Sequence, residues 1–100
     1  MPDLFAPDHN PTPFPINVDR LQDRDHPHVQ RIAQALAAVI QADPAGYVLV
    51  DDIASAVIRH LHATTGDGAP VAAIRRVLVA AGVRVRREAG ENHAFGVSLR

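Results

Sequence analysis

The chain has 100 residues and a mass of 10.8 kDa, with 47% apolar residues, ten cationic residues that are all arginine, and a formal charge of −1. A chain this short holds one small domain and speaks against a stand-alone enzyme, while the absence of cysteine excludes disulfides, thiol nucleophiles and cysteine-based zinc sites. The near-neutral total hides an uneven distribution: residues 1–52 hold eight Asp against three Arg, a balance of −5, and residues 53–100 hold seven Arg against Asp67, Glu88 and Glu91, a balance of +4.

Residues 1–25 read as a proline-rich arm outside the core. Pro2, Pro7, Pro11, Pro13 and Pro15 remove backbone donors and bias their predecessors toward extended conformations. Leu4, Phe5, Phe14, Ile16 and Val18 are spaced like neither a helix nor a strand. Such a terminus reads by default as a disordered tail, and Phe5 and Phe14 are its natural anchors if it docks on its own domain or on a partner. Asp3, Asp8 and the prolines do not read as a signal peptide, and the longest apolar run, near residues 77–83, is far short of the ~18–20 residues of a membrane span. The sequence therefore predicts a cytoplasmic protein with no membrane partner.

A domain is expected over residues 26–100. Asp25 can cap a first helix that tolerates Pro27 in its first turn, with Val29, Ile32, Ala33, Leu36, Val39 and Ile40 at spacings of three and four. Residues 43–46 (Asp-Pro-Ala-Gly) stop it, and residues 47–50 (Tyr-Val-Leu-Val) predict a brief β segment. Asp51 is expected to cap a second helix with an apolar stripe of Ile53, Ala54, Val57, Ile58 and Leu61. A turn at residues 64–68, with Gly66 and Gly68, leads to a third helix opened by Pro70 and closed by Gly82, with Val71, Ile74, Val77, Leu78 and Ala81 inward. The period then changes from 3.6 to 2. Val83 and Val85 alternate with Arg84 and Arg86, and after a turn at residues 89–92 Phe95, Val97 and Leu99 alternate with Gly96 and Ser98, which predicts a β-hairpin. Centring it on Glu91 sets Val85 against Val97, Val83 against Leu99, Arg84 against Ser98 and Arg86 against Gly96. That register also puts Arg87 beside Phe95 on the inner face, so Arg87 is expected to bend outward at the strand end.

The order helix, short strand, helix, turn, helix, hairpin resembles the winged-helix (winged helix-turn-helix) DNA-binding superfamily, over roughly residues 26–100. Residues 72–87, with Ile74-Arg75-Arg76-Val77-Leu78 running into Ala81-Gly82-Val83, carry most of the resemblance. The resemblance implies an α+β fold, mainly α: a three-helix winged helix-turn-helix with a C-terminal β-hairpin wing, here preceded by an extended N-terminal arm. It also implies binding of double-stranded DNA, with the third helix in the major groove and the wing against the backbone or minor groove.

Charge placement points the same way, because Arg59, Arg75, Arg76, Arg84, Arg86, Arg87 and Arg100 gather in the half that holds the third helix and hairpin. Arginine forks match phosphate oxygens, and each neutralised phosphate releases counterions. The expected contacts are Arg75 and Arg76 in or beside the groove, with help from Thr65, and Arg59, Arg84 and Arg86 on phosphates. The outward positions of the third helix, however, are Ala69, Ala72, Ala73, Arg76 and Ala80, a poor set for reading bases. Glu88 and Glu91 near the wing tip repel phosphate. The sequence thus predicts low sequence specificity, in a transcriptional regulator or a replication or recombination accessory, as a homodimer or a subunit of a larger complex. The alternative is an adaptor or assembly subunit that uses the alanine face and the arm for protein contacts.

Other chemistry finds little footing. His60 and His62 are two apart on a helix and diverge by about 200°, and His9, His26, His28 and His93 do not fall at metal-ligand spacings, so no metal is expected. Ser55 and Ser98 have no base-and-orienter set, no phosphate loop is present, and neither a catalytic residue nor a cofactor is predicted.

Overall fold

Three amphipathic segments become three helices, α1 (Val29–Val39), α2 (Val50–Thr64) and α3 (Val71–Ala80), in a computed structural model that describes residues 13–100. Phe5, one of the two expected anchors of the arm, lies outside the described residues. The helices bury one shared core. Ile32 and Leu36 of α1, Ile53, Val57 and Leu61 of α2, and Ile74, Val77 and Leu78 of α3 are all at most 2% exposed. Each contributes roughly 1.5–3 kcal/mol by leaving water. No helix of the described residues is long and apolar enough to cross a membrane.

Against the helices lies an antiparallel sheet of three strands, β1 (Ile40–Leu49), β2 (Arg84–Glu88) and β3 (Glu91–Leu99), in the order β1-β3-β2. The expected brief segment at residues 47–50 is therefore a ten-residue strand that starts at Ile40, and Val50 already belongs to α2. Residues 43–46, expected to stop the first helix, lie instead inside this strand, because α1 already ends at Val39, and they loop out of it. Ala42 pairs with Val97 and Tyr47 with Phe95, so four residues of β1 face the single Gly96 of β3. Asp43 Oδ1 accepts from the Ala45 N–H at 3.0 Å, the local turn that Asp-Pro-Ala-Gly favours. A Cβ on Gly46 would come within 2.0 Å of the Val97 carbonyl oxygen, so only glycine lets the two backbones approach this closely.

The hairpin register differs from the expected one. Arg84 pairs with Phe95, Val85 with Ala94, Arg86 with His93 and Glu88 with Glu91, which leaves a two-residue turn of Ala89 and Gly90. Both have positive φ, 53° and 83°, as the tight primed hairpin turns require. On β3 the alternation breaks at Gly96, with φ of 81°, so Ala94 and Val97, three apart, both face the core. Phe95 thereby moves to the outer face, where Arg84 and Arg86 already stand. Arg87, opposite Asn92, is exposed.

Two expected caps are also revised. The residue before α2 is Leu49, without a side-chain cap, and Asp51 and Asp52 occupy the first turn, where the helix dipole favours anions. Asp25 is not the cap of α1. It lies inside a 3₁₀ segment (Asp23–His28) that runs into α1, and it is completely buried.

Candidate nucleic-acid interface

The exposed strip of α3 is not the one the helical wheel selects. Ala73 and Ala80, expected outward, are 0% and 4% exposed, while Val71, expected inward, is 41% exposed. The described part of the arm lies against the Ala80 end of this face, while Ala73 belongs to the core and Ala72 stays exposed. A short 3₁₀ turn (Val18–Arg20) packs on α3, and the Asn17 N–H donates to the Ala80 carbonyl at 2.8 Å. Phe14, Ile16 and Leu21 are partly buried against the core. Described residues 13–25 thus dock on their own domain.

Arg76 is held by the same segment. Its Nε donates to Asp25 Oδ2 at 2.6 Å and its Nη2 to Asp25 Oδ1 at 2.8 Å, a bidentate fork. The Gln22 N–H adds a third donor to Oδ2 at 2.8 Å. The Arg76 hydrogen bonds, outweighing the opposing effect of burial, hold the Asp25 carboxyl at a pKa of about 2. Arg75 is turned toward α2, with Nη2 3.2 Å from Asp51 Oδ1 in an exposed ion pair. What α3 leaves open is therefore Val71, Ala72 and Arg75, with Asp51 close by.

The other expected contacts separate. Thr65 spends its hydroxyl on the end of α2, donating to the Leu61 carbonyl at 2.9 Å and accepting from the Asp67 N–H at 3.2 Å. Arg59 is exposed and lies with Arg100, Leu99, Ala38 and Val39, around a hollow at the far end of β3 from the hairpin tip. Phe14 lines an apolar hollow of about 310 Å³ with Leu36, Ile40, Leu78 and Val97, so this anchor faces its own domain.

Arg84 and Arg86 are the two that the structure does bring together. They project from β2 on the outer face of the sheet, cross-strand from Phe95 and His93. Tyr47 and Leu49 of β1 complete the row. Tyr47 and His93 stack with centroids 4.5 Å apart and planes 8° apart, and Phe95 meets Tyr47 edge-on at 5.0 Å. The guanidinium carbon of Arg86 sits 4.9 Å from the centre of the Phe95 ring. Glu88 closes the end nearest the tip, taking Arg86 Nη2 at 2.8 Å and the Tyr47 hydroxyl at 3.2 Å. These two hydrogen bonds lower the Glu88 pKa, the Arg86 one more strongly. Burial and the Glu88 contact raise that of Tyr47. His93 is 8% exposed, and its Nδ1 is a buried polar atom without a hydrogen-bond partner among the described residues.

Among the described residues no carboxylate pairs with Arg84. Beside it a groove of about 460 Å³ runs between Pro44, Ala45, Gly46, Tyr47, Phe95 and Gly96. Sequence reasoning missed Tyr47, His93 and Phe95, because strict alternation sends Phe95 inward. The available signal was Gly96, since a glycine inside a strand often marks a bulge. Among the described residues no three of His, Asp and Glu stand close enough together to hold a metal ion. No family model, curated protein or solved structure matches this chain.

Proposed function

We propose that the chain is a small nucleic-acid-binding domain of winged-helix type, with low sequence specificity, that holds DNA phosphates on the hairpin and not through α3. The element order and the sheet order β1-β3-β2, with the hairpin directly after α3, support the winged-helix reading. The single observation that carries the function is the pair Arg84 and Arg86, side by side on an exposed sheet face and flanked by aromatic rings. Low specificity follows from α3. Its Arg76 is tied to Asp25 and its open strip offers two apolar side chains and one arginine, whereas base edges are read by several polar groups on one face.

A second reading keeps one observation of its own. The C-terminal part of α3 around Ala80 is a contact surface for the arm in this chain, and an adaptor would use it for a partner's segment in place of the arm.

The test is titration of labelled duplex and single-stranded DNA at several salt concentrations. Binding that is micromolar or tighter at low salt and weakens steeply as salt rises is expected of phosphate contacts. No binding of duplex or of single-stranded DNA at low salt would leave the adaptor reading in its place.

A further inference from the structure

We infer that the outer face of the sheet is a stacking site for an unpaired nucleobase, so that the nucleic acid it takes is single-stranded. This rests on the nucleic-acid reading above and names its ligand more closely. Inside a duplex the bases stack on one another and offer only their edges, so an exposed aromatic ring gains little from them. An unpaired base offers a whole π face to any ring it meets, regardless of sequence. Tyr47 is 53% exposed although His93 already stacks on it, which makes it the most open large ring among the described residues. The groove beside it is bounded by a second ring, Phe95, and by the backbone of Gly46 and Gly96, where no side chain narrows the approach. Arg84 lines that groove with no carboxylate partner among the described residues, placed to meet the phosphate of a base lodged there. Glu88 and Glu91 occupy the opposite end, at the tip, so like charge directs a strand along the Arg84 side.

The chain has one tyrosine and no tryptophan, so its emission reports this site directly. The probe is oligothymidine of about twelve nucleotides, compared with a duplex of equal length at about 0.15 M salt, a strand length within the range one small binding domain occupies. Oligothymidine is expected to quench Tyr47 and to bind at least several-fold more tightly than the duplex. Tyr47→Leu, which keeps the site apolar, should weaken single-strand binding roughly 5- to 100-fold and weaken duplex binding by a much smaller factor. Tyr47→Phe should retain binding, and its thermal unfolding, like that of Tyr47→Leu, controls for loss of fold. Duplex binding equal to or tighter than single-strand binding, or indifference to Tyr47→Leu in a folded protein, overturns the stacking site and leaves the nucleic-acid reading standing. No binding to either ligand at low salt overturns both.

Discussion

Asp25 shows how one residue can redirect the use of another across 51 positions of sequence. A buried carboxylate without a partner is too costly to keep, so the Asp25 side chain needs the Arg76 fork, which spends Nε and Nη2 of Arg76 inside the domain. Asp25→Asn strands a partly buried guanidinium and is expected to cost about 2–4 kcal/mol in chemical denaturation. The pH dependence has a definite sign. The folded Asp25 carboxyl titrates at about 2, below its ordinary 3.8, so its contribution is complete above about pH 5 and is lost as the pH falls through 3.8 toward 2. Acid unfolding of the wild type should therefore be steep in that interval, and shallower in Asp25→Asn. The exposed pair of Arg75 with Asp51 should contribute little, and Asp51→Asn should change stability by less than about 1 kcal/mol. The charge split between the two halves allows such pairing, but which acid meets which arginine was not legible in the sequence. Asp25 looks like a helix cap because aspartate before a helix usually is one, and the Gln22 N–H it accepts from belongs to the same kind of local motif. The partner that decides its role comes from another element.

At the scale of elements, the helices were legible and the strands only in part. Helical stripes repeat over several turns, so one misplaced residue does not move the face: Ile32, Leu36, Ile53, Val57, Leu61, Ile74, Val77 and Leu78 all fall where the spacing puts them. Strand alternation has no such redundancy, because a one-residue slip exchanges the two faces. The slip here has two sources. The turn at Ala89-Gly90 places an alanine in the left-handed region, which no turn signal in the sequence announces. The bulge at Gly96 then offsets β3 by one residue. Together they exchange Phe95 for Ala94 on the core face and so create the candidate site. Ala89→Asn should suit the positive φ better and raise stability by about 1 kcal/mol, read as a higher thermal midpoint. Gly46→Ala drives a methyl group into the Val97 backbone and should lower stability by about 2–3 kcal/mol, with the loss seen first in exchange protection of the β1–β3 hydrogen bonds.

Across the whole molecule, the segregation of charge is rearranged by folding. Two of the acids of residues 1–52, Asp25 and Asp51, reach over to pair with the two arginines of α3. What is left of the cationic half is dispersed: Arg59 and Arg100 lie at one end of β3, Arg87 is exposed on β2, and Arg84 stands on the outer sheet face beside Arg86, which shares Glu88. The arm contributes to the same outcome by packing beside Ala80, which a wheel drawn on α3 alone leaves open to solvent. The central claim, that nucleic acid meets the sheet and not α3, is tested most directly by the salt dependence of binding in two folded variants. In Arg84→Gln with Arg86→Gln, log-log salt dependence of single-strand binding should become shallower by roughly 1.4, about 0.7 for each lost phosphate contact. In Ala72→Glu, which puts a negative charge on the exposed strip of α3, affinity should stay within about two-fold of wild type, because a single exposed charge away from the contact is largely screened. Loss of binding in Ala72→Glu, with an unchanged slope in the double arginine variant, would contradict the claim and return the contact to α3.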